Sequence, residues 1–529
     1  MTQKILIADA LSKLAEDVFR ARGVAFDVRP GLAEDELVKI IGDYAAVAVR
    51  SAVKITAPVI AAAKSLKVIG RAGMGVDTID VPAATKAGVV VMNTPFGNSI
   101  TTAEHTVALM MALARHIPQA NASTHAGKWE KSKFTGTELY GKTLGLIGCG
   151  NIGGIVAERA VGLRMKVVAY DPFLSPARAL ELGIETATLD EVYARADFIS
   201  IHTPMLDSTR GMVNAAAFAK MKRGVRILNV ARGGLIVEED LKAALDSGHV
   251  AGAALDVFVT EPAKENILFG DARVICTPHL GASTAEAQDT CAIQIAEQMC
   301  DFLLAGAVSN AVNMPNISAD EAPRLQPYIN LARLLGQMAG QMVAVPKAIT
   351  ITYRGDAAAL NTKPITATLL ASLLNVSHAS VNMVNARQVA AQAGIDVQET
   401  TQDALSNYQT LVDVQLASAE GGIRLSGTLF SNQPRLVRID DVMMEAELGG
   451  AHAPHMLLTR SVDAPGHIGR LGAALGDAGI NIATFHLGRD TKGGEAITLV
   501  AVDTALDKKM LTTINALPGV TTTVPLVFD

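Results

Sequence analysis

The chain has 529 residues, 49% of them hydrophobic, and a formal net charge of −6 at pH 7. This length exceeds what one hydrophobic core supports and predicts roughly three or four domains. No apolar run approaches the roughly 18–20 residues of a membrane-spanning helix, and the negative charge argues against a general nucleic-acid-binding surface, which needs a basic face.

Short apolar runs alternate with helical patterns from the N-terminus onward, which is typical of parallel βα units. The first predicted strands are residues 4–10, 46–50, 67–71 and 89–92. An amphipathic stretch, 98–117, predicts a connecting helix. A second strand series follows at 143–147, 166–170, 198–202, 226–230, 253–257 and 274–276. Two doubly wound α/β domains with parallel sheets are therefore expected.

The last part of the chain has a different pattern. A helical segment runs from 281 to about 304, and the proline-bearing stretch 313–327 indicates a boundary. Residues 328–450 combine a helix at 331–343 with alternating strands, which predicts an α+β module. From 455 onward the predicted order is βαββαβ, the ferredoxin-like split motif. The expected domains are 1–97 with 281–313, 98–280, 314–453 and 454–529.

The four cysteines form no CxxC pair and have no metal-ligand spacing. They are Cys149, Cys276, Cys291 and Cys300. The opening segment MTQKILIADA reads directly as a strand and not as a secretory signal. We therefore expect a cytoplasmic protein without a metal site.

A glycine-rich loop joins a strand to a helix in the second series. Gly148, Gly150 and Gly153 give the pattern GxGxxG, and Asp171 ends the next strand. The glycines permit a tight turn and close approach of a pyrophosphate. Asp171 would accept hydrogen bonds from the ribose hydroxyls, and its carboxylate would repel a 2′-phosphate. Although the pattern alone is often a structural turn, this context predicts NAD. Further cofactor contacts are expected from Met74, Asn151, Ile152, Thr203, Val230, Asp256 and Gly281.

Three strand-end segments carry candidate catalytic side chains to the same sheet edge. His279 is matched to proton transfer at neutral pH, and Glu261 would orient its imidazole and favour the protonated form. Arg232 would hold a substrate carboxylate or polarise the carbonyl. The alternatives are a helix-capping or ion-pairing arginine and a structural His–Glu ion pair.

The motifs GRAGMGVDTID, NTPFGNS, GKTLGLIGCGNIG, HTP, NVARGGLI, GAALDVF, EP and PHLGAS resemble the D-3-phosphoglycerate dehydrogenases over nearly the whole chain. Alone they identify only the D-2-hydroxy-acid dehydrogenase superfamily. Arg50 and Arg71, at strand ends of the first series, are suited to phosphate and carboxylate, and the resemblance assigns them that role with Asn98 nearby. The alternative is that both are solvated arginines without a ligand. It also implies that Lys131 reaches a neighbouring subunit's phosphate. Met74 stands where many relatives carry a smaller or hydroxyl residue.

The C-terminal modules resemble those of the long form of these enzymes, an intervening domain followed by a serine-sensing ACT domain. The resemblance implies that Asp463 and Asn481 bind an amino acid across a subunit interface, in a homotetramer. Asp463 before Pro465 is equally compatible with a turn, and Ser461 departs from the larger residue of some relatives.

The expected reaction is the NAD-dependent oxidation of D-3-phosphoglycerate to 3-phosphohydroxypyruvate, the first step of L-serine biosynthesis, with L-serine as a candidate effector. A sibling enzyme acting on 2-oxoglutarate or glyoxylate is one alternative. Another is a non-enzymatic NAD-sensing corepressor, a class that shares the fold but lacks an ACT-like C-terminus.

Overall fold

The computed structural model describes residues 3–318, 320–343, 345–378, 380–402, 408–419, 421–449 and 454–528. These residues form four β-sheets with the helices that cover them. The first two sheets are wholly parallel, which confirms the predicted doubly wound α/β halves. No helix in the described part of the chain is long and apolar enough to cross a membrane.

The first sheet has the strand order β2-β1-β3-β4-β5. Its strands are β1 (Lys4–Ile7), β2 (Ala25–Val28), β3 (Ala46–Val49), β4 (Val68–Arg71) and β5 (Val90–Met92). Helices α1 (Lys13–Ala21), α2 (Glu34–Ile40), α3 (Ala57–Ala62) and α4 (Val81–Lys86) connect them. Apart from Lys4 and Arg71 at strand ends, the central strands β1, β3 and β4 have no polar side chains and are buried, as is typical of parallel strands covered on both faces.

The second sheet has the order β12-β11-β10-β9-β6-β7-β8. Its strands are β6 (Thr143–Ile147), β7 (Lys166–Tyr170), β8 (Glu185–Thr186), β9 (Phe198–Ile201), β10 (Val225–Asn229), β11 (Val250–Leu255) and β12 (Val274–Cys276). Its helices are α5 (Ser99–Arg115), α6 (Ile117–His125), α7 (Asn151–Gly162), α8 (Pro176–Leu182), α9 (Leu189–Arg195), α10 (Ala215–Lys220) and α11 (Glu238–Asp246). The strand order reverses beside β6, which is where ligands bind in open α/β sheets.

Helix α12 (Ala285–Ala305) returns the chain to the first sheet. Ile295 and Met299 belong to the same buried cluster as Ile5 and Val68. A Cβ atom on Gly70 would lie 2.3 Å from the Met299 sulfur, so a glycine in β4 allows this close packing.

The third sheet is mixed and has the order β14-β13-β15-β16-β17-β18. Its strands are β13 (Ala348–Gly355), β14 (Asp396–Gln402), β15 (Thr410–Ser418), β16 (Gly421–Phe430), β17 (Gln433–Ile439) and β18 (Val442–Ala446). Helices α13 (Ala322–Met342), α14 (Thr362–Leu374) and α15 (Ala386–Gln392) accompany it. The predicted helix start at 331 is wrong, because α13 begins at Ala322 and continues through Pro327.

The fourth sheet is antiparallel, with the order β20-β21-β19-β22. Its elements are β19 (His455–Val462), α16 (His467–Asp477), β20 (Ile482–Arg489), β21 (Glu495–Val502), α17 (Lys508–Asn515) and β22 (Val520–Val527). The predicted βαββαβ order is confirmed. Arg460 of β19 forms an ion pair with Asp440 of the third sheet region, so the two C-terminal units are in contact.

Candidate active site

A cavity of about 890 Å³ lies between the first two sheets, at the carboxyl ends of their strands. Arg50 follows β3 and Arg71 ends β4, while Arg232 and His279 follow β10 and β12. Seven residues singled out from the sequence line it: Arg50, Arg71, Asn98, Arg232, Asp256, Glu261 and His279. The two sheets therefore deliver a set of cationic side chains and a histidine–carboxylate pair to one space.

The imidazole of His279 is bonded to Glu261, with 2.7 Å between His279 Nδ1 and Glu261 Oε2. The other carboxylate oxygen of Glu261 accepts the backbone N–H of Phe258 at 3.0 Å. Burial would raise the pKa of Glu261, but these bonds hold it below its usual value. The bond to Glu261 raises the pKa of His279 above its ordinary value against an opposing effect of burial. The pair therefore favours a protonated imidazole beside an ionised carboxylate.

Asp256 organises the loop that carries His279. Its buried carboxylate accepts from Thr277 Oγ1 at 2.5 Å and from the backbone N–H groups of Leu280 and Gly281 at 2.8 Å each. His279 itself sits at φ 56°, a left-handed conformation that these bonds stabilise. Both carboxylate oxygens of Asp256 already accept hydrogen bonds from the protein. Its predicted contact with the cofactor would therefore be an additional hydrogen bond to one of these oxygens.

Sequence reasoning missed His105 of α5, which stands behind this loop. Its Nε2 lies 3.3 Å from Asp256 Oδ1 and 3.3 Å from Thr277 Oγ1. Its position in a helix far from the strand-end motifs gave no local signal. The packing of α5 against the second sheet brings His105 next to Asp256 and Thr277.

Arg232 spans the cavity toward the first sheet. Its Nε lies 3.1 Å from Asp77 Oδ2, and its Nη1 donates to the carbonyl of Ala231 at 2.7 Å. Asp77 lies within the quoted motif GRAGMGVDTID but was not singled out, because nothing in the spacing of that loop indicates its partner.

The predicted phosphate- and carboxylate-binding residues differ in how their polar atoms are used. Arg71 donates from Nη1 to the carbonyl of Ala72 at 3.2 Å, while its buried Nε has no hydrogen-bond partner among the described residues. The buried Oδ1 of Asn98 likewise has none in that part of the chain. Buried polar atoms normally have partners, so these two unmatched atoms depart from that rule in residues that line the cavity. Lys131 is exposed and lies outside this cavity.

The glycine-rich loop has the geometry of a dinucleotide cradle. Gly148 adopts φ 94°, and a Cβ atom there would lie 2.6 Å from the carbonyl oxygen of His202. A Cβ atom on Gly153 would lie 2.3 Å from the carbonyl oxygen of Gly148, whereas one on Gly150 would meet no described atom within 4 Å. The space over Gly150 and the N-terminus of α7 beneath it suit a pyrophosphate.

Asp171 directly follows β7 and forms a hydrogen bond with the glycine-rich loop. Its Oδ2 accepts the backbone N–H of Cys149 at 2.7 Å, and its Oδ1 accepts that of Phe173 at 2.8 Å. The carboxylate is thus fixed beside the predicted ribose position.

The remaining predicted cofactor residues follow the carboxyl ends of strands in both sheets. The Thr203 methyl group would be 3.1 Å from a Cβ atom on Gly148, and Val230 Cγ1 would be 3.2 Å from one on Gly281. Asn151 and Ile152 form the first turn of α7. The Met74 carbonyl accepts from Asn93 Nδ2 at 2.6 Å.

A second cavity, of about 420 Å³, lies on the fourth sheet beside Ser461 and Asp463. Asp463 Oδ2 accepts from Arg489 Nη1 at 2.8 Å and from the N–H of Gly493 at 3.1 Å. Asn481 lies at the other end of the sheet, because β20 begins where β21 pairs with the first residue of β19. Its Nδ2 donates to Asp503 at 2.8 Å. One chain therefore does not bring Asp463 and Asn481 to one ligand.

Comparison with known families assigns three consecutive regions. Residues 107–281 match the NAD binding domain of D-isomer specific 2-hydroxyacid dehydrogenases. Residues 324–440 match the D-3-phosphoglycerate dehydrogenase intervening domain, and residues 455–519 match the ACT domain.

Solved structures at moderate identity match part of the chain. The TT0316 protein from Thermus thermophilus is 34% identical with a TM-score of 0.54, over 59% of this chain and 100% of that one. A glyoxylate reductase from Paecilomyes thermophila is 31% identical with a TM-score of 0.55, over 59% of this chain and 98% of that one.

Two relatives that match over nearly their full length have the same name. D-3-phosphoglycerate dehydrogenase from a Synechocystis species is 42% identical over 98% of this chain and 93% of the relative. The enzyme of that name from Archaeoglobus fulgidus is 40% identical over 98% of each chain. The NAD-binding dehydrogenase region, the intervening domain and the ACT domain thus occur in the same order along the same length, and the chain belongs to the D-3-phosphoglycerate dehydrogenase family.

Proposed function

We propose that the chain catalyses the NAD-dependent oxidation of D-3-phosphoglycerate to 3-phosphohydroxypyruvate, the first step of L-serine biosynthesis. The observation that carries this proposal is the His279–Glu261 pair, 2.7 Å apart, in one cavity with Arg50, Arg71 and Arg232. NAD, for which the Gly148 loop and Asp171 provide a fitting cradle, supplies the hydride acceptor when bound.

His279 is the proposed acid/base. Because Nδ1 donates to Glu261, the neutral imidazole keeps its lone pair on Nε2. Nε2 then takes the proton from the C2 hydroxyl as the hydride leaves C2 and the carbon–oxygen double bond forms. Glu261 stabilises the imidazolium that results, and the same pair returns the proton in the reverse reaction.

The arginines are proposed to hold the two anionic ends of the substrate. Arg232 lies on the same sheet edge as His279, so it would bind the carboxylate and the developing carbonyl oxygen. Arg50 and Arg71 come from the first sheet and would bind the phosphate, with Asn98 beside them. Lys131 of a neighbouring subunit would complete this phosphate site.

Regulation and assembly form a second part of the proposal. The ACT region would bind L-serine between Asp463 of one subunit and Asn481 of another, which suits their separation within one chain. We propose that the protein is a homotetramer and that it is cytoplasmic, and the four free cysteines are in keeping with a reducing compartment. The four sheets support domains at 1–97 with 281–313, 98–280, 314–453 and 454–529.

A substrate panel followed by NADH absorbance tests this function. Purified protein with NAD should oxidise D-3-phosphoglycerate faster than D-glycerate or D-lactate, and with NADH it should reduce 3-phosphohydroxypyruvate faster than glyoxylate or 2-oxoglutarate. A dominant rate with any unphosphorylated acid would overturn the substrate assignment and favour a sibling enzyme. Absence of turnover on the whole panel would favour a binding protein.

A further inference from the structure

Asp77 and Arg232 form an ion pair that bridges the first and second sheets across the active-site cavity. Arg232 follows β10 of the second sheet, and Asp77 lies in the loop that follows β4 of the first. The Nε–Oδ2 distance is 3.1 Å, and both residues line the cavity. The Asp77 side chain is 67% exposed, so this pair contributes little to folding stability. Because the ion pair lies on the wall of the cavity, we expect it to affect substrate binding.

The donors of the Arg232 guanidinium are divided between the protein and the cavity. A guanidinium has five N–H donors in one plane. Nε lies 3.1 Å from Asp77 Oδ2 in an ion pair, and one N–H of Nη1 donates to the carbonyl of Ala231 at 2.7 Å. The ion pair and the hydrogen bond restrain the guanidinium at two different nitrogens. The remaining donors, on Nη1 and Nη2, form the edge available for a planar carboxylate.

Gly75 is the second residue of this loop that lies against the Arg232 guanidinium. A Cβ atom at Gly75 would lie 2.0 Å from Arg232 Nη2 and 2.6 Å from Asp77 Oδ2. The loop thus approaches the guanidinium closely at a residue without a side chain, and two residues later it places the Asp77 carboxylate beside Nε. Both contacts come from one short segment of the first sheet.

We propose that Asp77 is a positioning residue that holds the Nε edge of Arg232 and thereby presents its Nη edge to the carboxylate of a 2-hydroxy or 2-oxo acid. The inference rests on the proposed function, because it needs Arg232 as the carboxylate-binding group. Since the two residues come from different sheets, Asp77 sets the arginine in the orientation that suits the assembled cavity. Misplacing a substrate-binding group by about 1 Å is enough to cost roughly a hundredfold in rate.

Two substitutions separate positioning from charge. Asp77→Asn keeps a side-chain oxygen that can lie beside Nε but removes the charge, whereas Asp77→Ala removes both. We expect D77A to lower kcat/KM at least about tenfold, with a lower kcat as well as a higher KM, and D77N to stay within about threefold of the wild type. Asp190, an exposed partner of Lys220 at 2.7 Å and remote from the cavity, gives the control D190A, which should leave both constants unchanged.

Oxalate binding to the NADH complex, followed by NADH fluorescence, provides a readout without turnover. D77A should bind oxalate at least about fivefold more weakly, while D77N should bind it as tightly as the wild type or more tightly. If D77A and D77N behaved alike and both bound oxalate more tightly, Asp77 would act only through its charge. Unchanged kinetics in D77A with an unchanged Tm would also overturn the proposal.

These outcomes are distinct from failure of the proposed function. A wild type that prefers another 2-oxo acid disproves the phosphoglycerate assignment but still allows the D77A and D77N comparison with that acid. A wild type without turnover leaves the oxalate measurement to decide the role of Asp77.

Discussion

Glu261 holds His279 with one carboxylate oxygen while its other oxygen is fixed by the backbone of Phe258. The distances are 2.7 Å and 3.0 Å, so rotation of the carboxylate away from the imidazole would break two bonds. The carboxylate is therefore a fixed negative charge on the Nδ1 side of the ring, and it determines both the tautomer and the proton affinity of His279.

This relationship predicts a pH effect of Glu261→Gln. Because Glu261 raises the pKa of His279, oxidation, which needs neutral His279, should speed up only as pH rises through that raised value. In E261Q the rising limb of kcat/KM for oxidation should move to lower pH, and the falling limb for reduction should move the same way. Rate profiles in both directions measure the shift. Unmoved limbs would contradict the assigned role.

Removal of the imidazole should separate chemistry from cofactor binding. His279→Ala deletes the proposed acid/base, a contribution of about 10²–10⁴ in rate, so kcat should fall by that order. NADH affinity, measured by fluorescence, should stay near that of the wild type because the Gly148 loop is untouched. Near-normal turnover in H279A would remove His279 from the mechanism.

The glycine-rich loop offers a matched pair of substitutions. Gly153→Ala places a Cβ atom 2.3 Å from the carbonyl oxygen of Gly148, whereas Gly150→Ala points into open space. We expect G153A to lower Tm as well as NADH affinity. G150A should keep Tm and lose roughly tenfold or more in NADH affinity, since the added methyl group occupies the pyrophosphate position. Normal NADH binding by G150A would place the cofactor elsewhere.

Arg50 should matter chiefly for the phosphate. In Arg50→Ala the ratio of kcat/KM for D-3-phosphoglycerate to that for D-glycerate should fall about tenfold or more, because a charge-assisted bond is lost only with the phosphorylated acid. Arg387, which pairs with Glu399 at 2.9 Å in the third sheet region, supplies the control R387A with an unchanged ratio. A parallel loss on both acids in R50A would indicate carboxylate binding or a general effect.

Serine control makes a separate prediction. Millimolar L-serine should lower the rate and raise Tm by binding the folded protein, while D-serine should do neither. Asp463→Asn should weaken both responses, because the proposed ammonium partner loses its charge. If L-serine changes neither the rate nor Tm, the ACT region binds another ligand or no ligand.

The sequence was most informative where buried parallel strands run into glycine or catalytic motifs. Strands β6, β7 and β12 have the predicted bounds because their apolar runs end abruptly at Gly148, Asp171 and Thr277. The edge strands β2 and β14 were not predicted, since solvent on one side removes the apolar pattern. Contacts made through tertiary packing, such as Asp77 with Arg232, leave no trace in local spacing.

Pro327 explains the error in the third sheet region. Proline is typical of boundaries because it removes a helical hydrogen bond, and the prediction therefore began the helix after it. In the structure the buried side chains of Leu325 and Leu331 lie on either side of it within one helix, so packing outweighs the local cost.

The return of α12 to the first sheet has a consequence for synthesis. Strands β1 to β5 emerge first from the ribosome, yet Ile295 and Met299, which cover one of their faces, follow the entire second sheet in the chain. The second sheet is contiguous and can close its core during translation. Helix α1 packs into the same cluster, but the rest of this apolar face stays exposed until residues 285–305 arrive, so the first part of the enzyme to be made is completed only after its neighbour.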